Sequence, residues 1–196
     1  MIRRLLNGRL SNGRLPSGQG SEQRSQAGFT LIEVLVVVVM IGILFGIAAP
    51  SWIAFMNSRR VNNASDQISQ AIRKAQAEAI RTRRSYGVRF DTVSNPPRLI
   101  IGRYNETSDT VDTTGAEVEQ LGYGSIRPNV ITLTPGVSSI VFEANGSVRT
   151  EDVTPPVTVP VVFTLTASAT GARRCVVLET LLGSVRRIAP GEPGCP

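Results

Sequence analysis

The chain has no histidine. That removes the commonest general base and the commonest metal ligand. Its two cysteines, Cys175 and Cys195, are too few for a structural zinc site without other ligands. No Walker loop, nucleophile elbow or dinucleotide fingerprint occurs. The acidic stretch 105–124 lacks the spacing of an EF-hand loop. We therefore expect no enzyme, no cofactor and no metal site. Lysine is nearly absent too: twenty of the 21 basic residues are arginine. The net charge of +6 is unevenly placed. Before Phe29, five arginines face one glutamate, and the remainder holds 16 basic against 14 acidic residues. The high pI thus mostly describes the first 28 residues, and by itself argues for no nucleic-acid partner.

What the sequence does contain is a long stretch without charge. From Val34 to Ser58, 25 residues, there is no Asp, Glu, Lys or Arg. A bilayer needs about 20 apolar helical residues. Arg3, Arg4, Arg9, Arg14 and Arg24 precede the run, which predicts a cytoplasmic amino terminus and an extracytoplasmic remainder. Pro50 falls inside the run and predicts a kink. Gly42 and Gly46 form a small-x-x-x-small pair, either a packing face or two glycines in a membrane segment. Beyond Arg59 the apolar residues change to steps of three and four: Val61, Ala64, Ile68, Ala71, Ile72, Ala75, Ala79. That is an amphipathic helix with an alanine-rich stripe, expected to lie against a sheet. Arg81, Arg83 and Arg84 complement its carboxyl-terminal dipole.

From Tyr86 onward the pattern is of short strands separated by turn residues. Strands are expected at Tyr86–Phe90, Arg98–Tyr104, Val130–Leu133, Ile140–Phe142, Ser147–Arg149, Val157–Thr166, Cys175–Glu179 and Val185–Ile188. Asn145-Gly146 is a tight-turn signal pairing Ile140–Phe142 with Ser147–Arg149. Residues 105–124 read as a solvated loop.

The sequence Gly28-Phe29-Thr30-Leu31-Ile32-Glu33 heading an apolar helix resembles the type IV pilin signature, shared by type IV pilins and type II secretion pseudopilins. The likeness covers roughly residues 24–56. A second, more moderate resemblance lies downstream: Phe142-Glu143-Ala144-Asn145-Gly146, Phe163-Thr164-Leu165, Arg174-Cys175-Val176-Val177-Leu178 and Gly183-Ser184-Val185-Arg186. It is similar to the H-type minor pseudopilins of type II secretion and the related FimT minor pilins. The implied fold is α+β and type IV pilin-like, with a long amino-terminal helix packed on an antiparallel sheet domain. The implied organisation is a cleaved leader (1–28), a transmembrane and filament-core helix (29–56), its amphipathic continuation (57–85) and a periplasmic β-rich domain (86–196).

The resemblance implies a series of roles. A prepilin peptidase cuts between Gly28 and Phe29 and N-methylates Phe29, although this leader is long for the family. Glu33 neutralises the Phe29 amine of a neighbouring subunit during assembly, since a lone carboxylate in hydrocarbon is costly. Partners are other pilin or pseudopilin subunits, the peptidase, an inner-membrane assembly platform and, before assembly, the membrane. The destination is either a type II secretion filament or a type IV pilus, where such subunits initiate fibres or take up DNA. An unrelated single-pass membrane protein leaves the signature unexplained. FimT proteins implicated in DNA uptake carry a Gly-Arg-x-Arg pattern in the final strand. Here Gly183 and Arg186 match, while Ser184 replaces the first arginine. Arg187, Arg173 and Arg174 could supply phosphate contacts, but charged sheet edges also limit aggregation. In an oxidising compartment Cys175 and Cys195 read as a disulfide.

Overall fold

The computed structural model describes residues 28–122, 127–151 and 156–195. All of the expected leader except Gly28 lies outside the described residues. The chain divides into two compact units, Met1–Ile43 and Leu44–Pro196. Helix α1 (Leu31–Thr82) begins in the first and continues into the second. It is unbroken through Pro50. It stops at Thr82, three residues short of the expected end. There Arg83 turns left-handed (φ 53°) and the Arg84 N–H donates to the Ala79 carbonyl at 3.3 Å. This is a Schellman-type stop with arginine where glycine is usual.

The strands of the second unit are β1 (Tyr86–Asp91), β2 (Arg98–Asn105), β3 (Thr110–Val111), β4 (Glu117–Gln120), β5 (Ile131–Pro135), β6 (Ser139–Phe142), β7 (Val161–Ala167), β8 (Arg173–Leu178) and β9 (Val185–Ile188). They form two antiparallel sheets rather than one. The first has the order β3-β2-β1-β6, with β4 also paired to β2. The second has the order β5-β7-β8-β9. The chain changes sheet between β5 and β6, at the expected Pro135-Gly136 break. Alternation sets which side chains point inward. On β7, Val161, Phe163, Leu165 and Ala167 are buried while the residues between them are half-exposed.

One continuous core joins the helix stripe to both sheets. Ala64, Ile68, Ile72, Ala75 and Ala79 meet Val88, Leu99, Ile101, Ile140, Phe142, Phe163, Leu165 and Leu178. Burying a Leu, Ile or Phe side chain stabilises by roughly 1.5–3 kcal/mol, and the alanines let the helix backbone approach closely. The rings of Phe90 and Phe163, 4.5 Å apart, link one sheet to the other. A second, smaller cluster of Cys175, Val177, Ile188 and Cys195 is separate from this core.

Three expectations are corrected. The stretch 105–124 is not simply a solvated loop. It holds β3 and β4, and β4 pairs with β2 in the register Leu99↔Glu119 and Ile101↔Glu117. The hairpin after Asn145-Gly146 does not continue as a strand; only Phe142↔Val148 forms a bridge. The strand expected from Val157 starts at Val161, just beyond Pro160, which has no N–H to give to a ladder.

Candidate functional site

The helix start is built from three residues. Phe29 is 80% exposed. Thr30 Oγ1 accepts the Glu33 N–H at 3.2 Å, and the Thr30 carbonyl accepts the Val34 N–H at 3.2 Å. Thr30 is therefore the helix N-cap and Glu33 occupies the third helical position. The carboxylate sits in the first turn, where the helix dipole favours negative charge. The sequence reading assigned Thr30 no role. The Thr-x-x-Glu spacing ahead of an apolar run is nonetheless a helix-start signal. A methyl group added at Gly28, Gly42 or Gly46 would meet no atom within 4 Å. Gly42 and Gly46 are thus open helix surface within this chain, and Gly28 is open ahead of the helix.

Farther along α1, two glutamines dock the helix onto the sheets. Gln76 Nε2 donates to the carbonyls of Gly146 and Leu182, each at 2.8 Å. Gly146 and Gly183, the two glycines of the family-like motifs, both have positive φ (85° and 80°). A Cβ on Gly183 would lie 2.7 Å from Gln76 Nε2, and one on Gly146 would lie 2.8 Å from Ile80 Cδ1. The glycines thus make room for the helix face. The second glutamine, Gln67, is fully buried and bonds to the end of β4 and to Gly122 just beyond it. Lys74 adds an ion pair to Glu117 at 2.5 Å, and that hydrogen bond holds its amine above the usual lysine range.

The four arginines singled out from the sequence are divided by the structure. Arg174, Arg186 and Arg187 line one open cleft of about 750 Å³ together with Arg59, Arg73, Asn62 and Asp66. Arg173 lines a smaller recess beside Ser58, Val61 and Arg174. Consecutive residues of a strand point to opposite faces, and Arg186 and Arg187 take different partners: Glu179 Oε1 at 2.5 Å and Asp66 respectively. Arg174 Nε donates to Asn62 Oδ1 at 2.7 Å. Cys175 and Cys195 form a disulfide, which ties the tail after β9 over the smaller apolar cluster.

These features coincide with a known family. Residues 64–181 match the family described as Type II transport protein GspH, and residues 23–49 match the prokaryotic N-terminal methylation motif. The chain belongs to the GspH family. Over 68 residues it is 35% identical to type II secretion system protein H of Pseudomonas aeruginosa, covering 35% of this chain and 40% of that protein. It thus matches less than half the length of that curated relative. The type IV minor pilin FimU of Pseudomonas aeruginosa shares the fold. The TM-score is 0.51 at 16% identity, over 72% of this chain and 96% of that one. The minor pseudopilin EpsH from the type 2 secretion system of Vibrio cholerae superposes less closely. Its TM-score is 0.44 at 16% identity, over 68% of this chain and 99% of that one.

Proposed function

We propose that the chain is a minor pseudopilin, a structural subunit of a short periplasmic filament in type II secretion. A prepilin peptidase cuts it between Gly28 and Phe29 and N-methylates Phe29. Residues 29–56 anchor it in the inner membrane and later form part of the filament core. Residues 57–85 continue the helix, and residues 86–196 form the periplasmic domain. An inner-membrane platform adds the subunit to other pseudopilins. The observation that carries this reading is the helix start: Glu33 in the N-capped first turn, five residues after Gly28 and heading 25 residues without charge, in a chain of the GspH family. Glu33 then offers its carboxylate to the Phe29 amine of a neighbour, so that neither charge stays bare in hydrocarbon. The helix is long and apolar enough to span a bilayer.

The test is Glu33→Ala in cells carrying the secretion machinery. The variant is expected to be processed normally and to fail to crosslink to other pseudopilins. Wild-type crosslinking by the variant would reject the assembly role. Gly28→Leu is expected to leave the leader uncut on a gel.

A second reading, a minor pilin that contacts DNA, draws on the cleft lined by Arg59, Arg73, Arg174, Arg186 and Arg187. It expects salt-sensitive binding of duplex DNA by the full chain in detergent, lost in Arg186→Ala/Arg187→Ala. The pairing of Arg186 and Arg187 with Glu179 and Asp66 weighs against it.

A further inference from the structure

The cleft beside β9 is bounded by an open strand edge. β9 is the last strand of its sheet, so one of its edges has no neighbour. Hydrogen bonds in an antiparallel pair fall on alternate residues. The Glu179 N–H donates to the Ser184 carbonyl at 2.8 Å. In the register Val177↔Arg186 and Cys175↔Ile188, that alternation turns the backbone groups of Arg186 and Ile188 toward β8. Val185 and Arg187 therefore turn their N–H and C=O groups outward, and among the described residues nothing bonds to them. The cleft of about 750 Å³ is lined by all of β9 and by α1 residues between 59 and 73. Gly183 packs on Gln76 and Arg187 faces Asp66, so strand and helix run side by side in opposite directions. The four strand residues and ten helix residues between those contacts each cover about 13–15 Å.

The edge is not closed from within the chain. The tail after β9 bonds to itself, Glu192 N–H to the Ala189 carbonyl and Cys195 N–H to the Glu192 carbonyl, and its disulfide draws it to the face that carries Cys175. The sheet's other edge differs. There the Ser168 N–H donates to the Val130 carbonyl, so β5 turns the backbone of Ile131 and Leu133 outward, but these residues are only 3% and 4% exposed. On β9, Val185 is half-buried and Arg187 is exposed.

The charge in the cleft selects the kind of strand. Its arginines face only two carboxylates, Asp66 and Glu192. Arg187 is paired with Asp66, and Arg186 with Glu179. Arg174 donates to the neutral Asn62 side chain, and Arg59 stacks on the Phe55 ring at 5.0 Å. Arg73 has no hydrogen-bond or ion-pair partner among the described residues. Edge arginines deter pairing with uncharged strands, and a strand that carries carboxylates reverses that effect.

We propose that β9 accepts an extended acidic segment of a partner protein as a fifth strand of this sheet, with the segment's carboxylates on Arg59, Arg73 and Arg174. Main-chain bonds to Val185 and Arg187 supply the pairing, and the arginines supply the choice of segment. This contact is additional to the one made by Glu33 and does not depend on it. A peptide suits the site better than DNA. The edge offers carbonyl acceptors as well as N–H donors, whereas phosphates meet only the donors and would also lie against Asp66 and Glu192.

The probe is a labelled ten-residue peptide of alternating valine and glutamate, added to the full chain in detergent. Fluorescence anisotropy should show binding that weakens about three-fold in Arg73→Gln and about three-fold again in Arg73→Gln/Arg174→Gln. Arg73 is exposed and unbonded, so its substitution leaves the fold intact. Binding should persist in Arg83→Gln/Arg84→Gln, beyond the far end of α1. Amide solvent exchange by NMR gives the readout particular to a strand. At ten times the Kd, exchange at Val185 and Arg187 should slow about ten-fold, and exchange at Arg186 should not change. The same peptide N-methylated through its centre keeps its charges and should protect neither amide. No binding, or equal binding of a valine–glutamine peptide, overturns the proposal. So does binding without the alternating protection, or a loss as large in the Arg83/Arg84 control. Duplex DNA that displaces the peptide and binds more tightly at the same salt assigns the arginines to phosphate and also overturns it. Each of these failures leaves the Glu33 assembly role untouched.

Discussion

Gln67 holds Gly122. The Gly122 N–H donates to Gln67 Oε1 at 2.6 Å, and Gln67 Nε2 donates to the Gln120 carbonyl at 2.9 Å and to Glu119 Oε2 at 3.2 Å. One fully buried side chain thus behaves like a further residue of backbone, giving and accepting along the end of β4. Gln67→Leu keeps the bulk and strands those groups. Leaving buried polar groups unpaired costs about 1–3 kcal/mol. We expect a loss of that size in urea unfolding of the detergent-solubilised chain. Amide exchange should rise at Val118–Gln120 and stay unchanged in β7 and β8. Uniform loss of protection would show that Gln67 supports the whole domain rather than this strand.

Gly183→Ala places a methyl group against Gln76 in a left-handed turn. Strain of this kind costs roughly 1–3 kcal/mol. Gln76→Ala removes the obstacle and also the two bonds to Gly146 and Leu182. The double variant should therefore be less destabilised than the sum of the singles. Strict additivity in the thermal or urea midpoints would mean that the glycine serves the turn alone.

The Cys175–Cys195 disulfide closes a sequence separation of 20 residues. Loops of this size contribute about 3 kcal/mol by the chain-entropy account. Cys195→Ser should lower stability by that order. It should also raise exchange at Ile188 and Val177, which the tail covers. Reductant should lower the wild-type midpoint toward that of the variant and leave the variant unmoved.

Tyr104 provides a pH signature. Burial, aided by its hydrogen bond to Asp109 at 2.5 Å, pushes its phenol from 10.0 up to about 12. A raised folded-state value favours the protonated form. Its contribution to stability is complete below about pH 10 and is lost as the pH climbs through about 12. Unfolding midpoints measured across that window should fall more steeply for the wild type than for Tyr104→Phe. Parallel curves would remove Tyr104 from the alkaline transition.

Much of this architecture is legible in the residues, for physical reasons. The 25-residue uncharged run and the periodic Val61–Ala79 stripe are strong signals, and both lie within α1. The apolar strands β1, β2, β6, β7 and β8 begin or end within a few residues of where alternation predicts them. Strand β4 is hidden in the sequence because Glu117-Val118-Glu119-Gln120 is largely exposed and has only Val118 to favour a strand. Its place comes from the β2 edge and from Gln67 and Lys74 on the helix, contacts 43 to 53 residues away in sequence. The division into two sheets depends on which strands pair, and residue periodicity is silent on that. At the helix start, Glu33 was visible through its family signature, while Thr30 needed the capping pattern to be read on the same six residues. The basic residues were read along β8 and β9. Their relation to Arg59 and Arg73 emerges only when β8 and β9 return beside the helix.

The Thr30 cap has a further consequence for timing. The cut after Gly28 would leave only Phe29 and Thr30 ahead of the first helical residue, Leu31. Proteolysis would then replace a neutral peptide bond with a cation beside the pole of α1 that is already electropositive. The shortened chain would carry an electrostatic load that its precursor lacks. A carboxylate arriving from another subunit would relieve that load. Proteolysis would then be a charging step: it would make the solitary subunit less comfortable and the company of another subunit correspondingly more favourable.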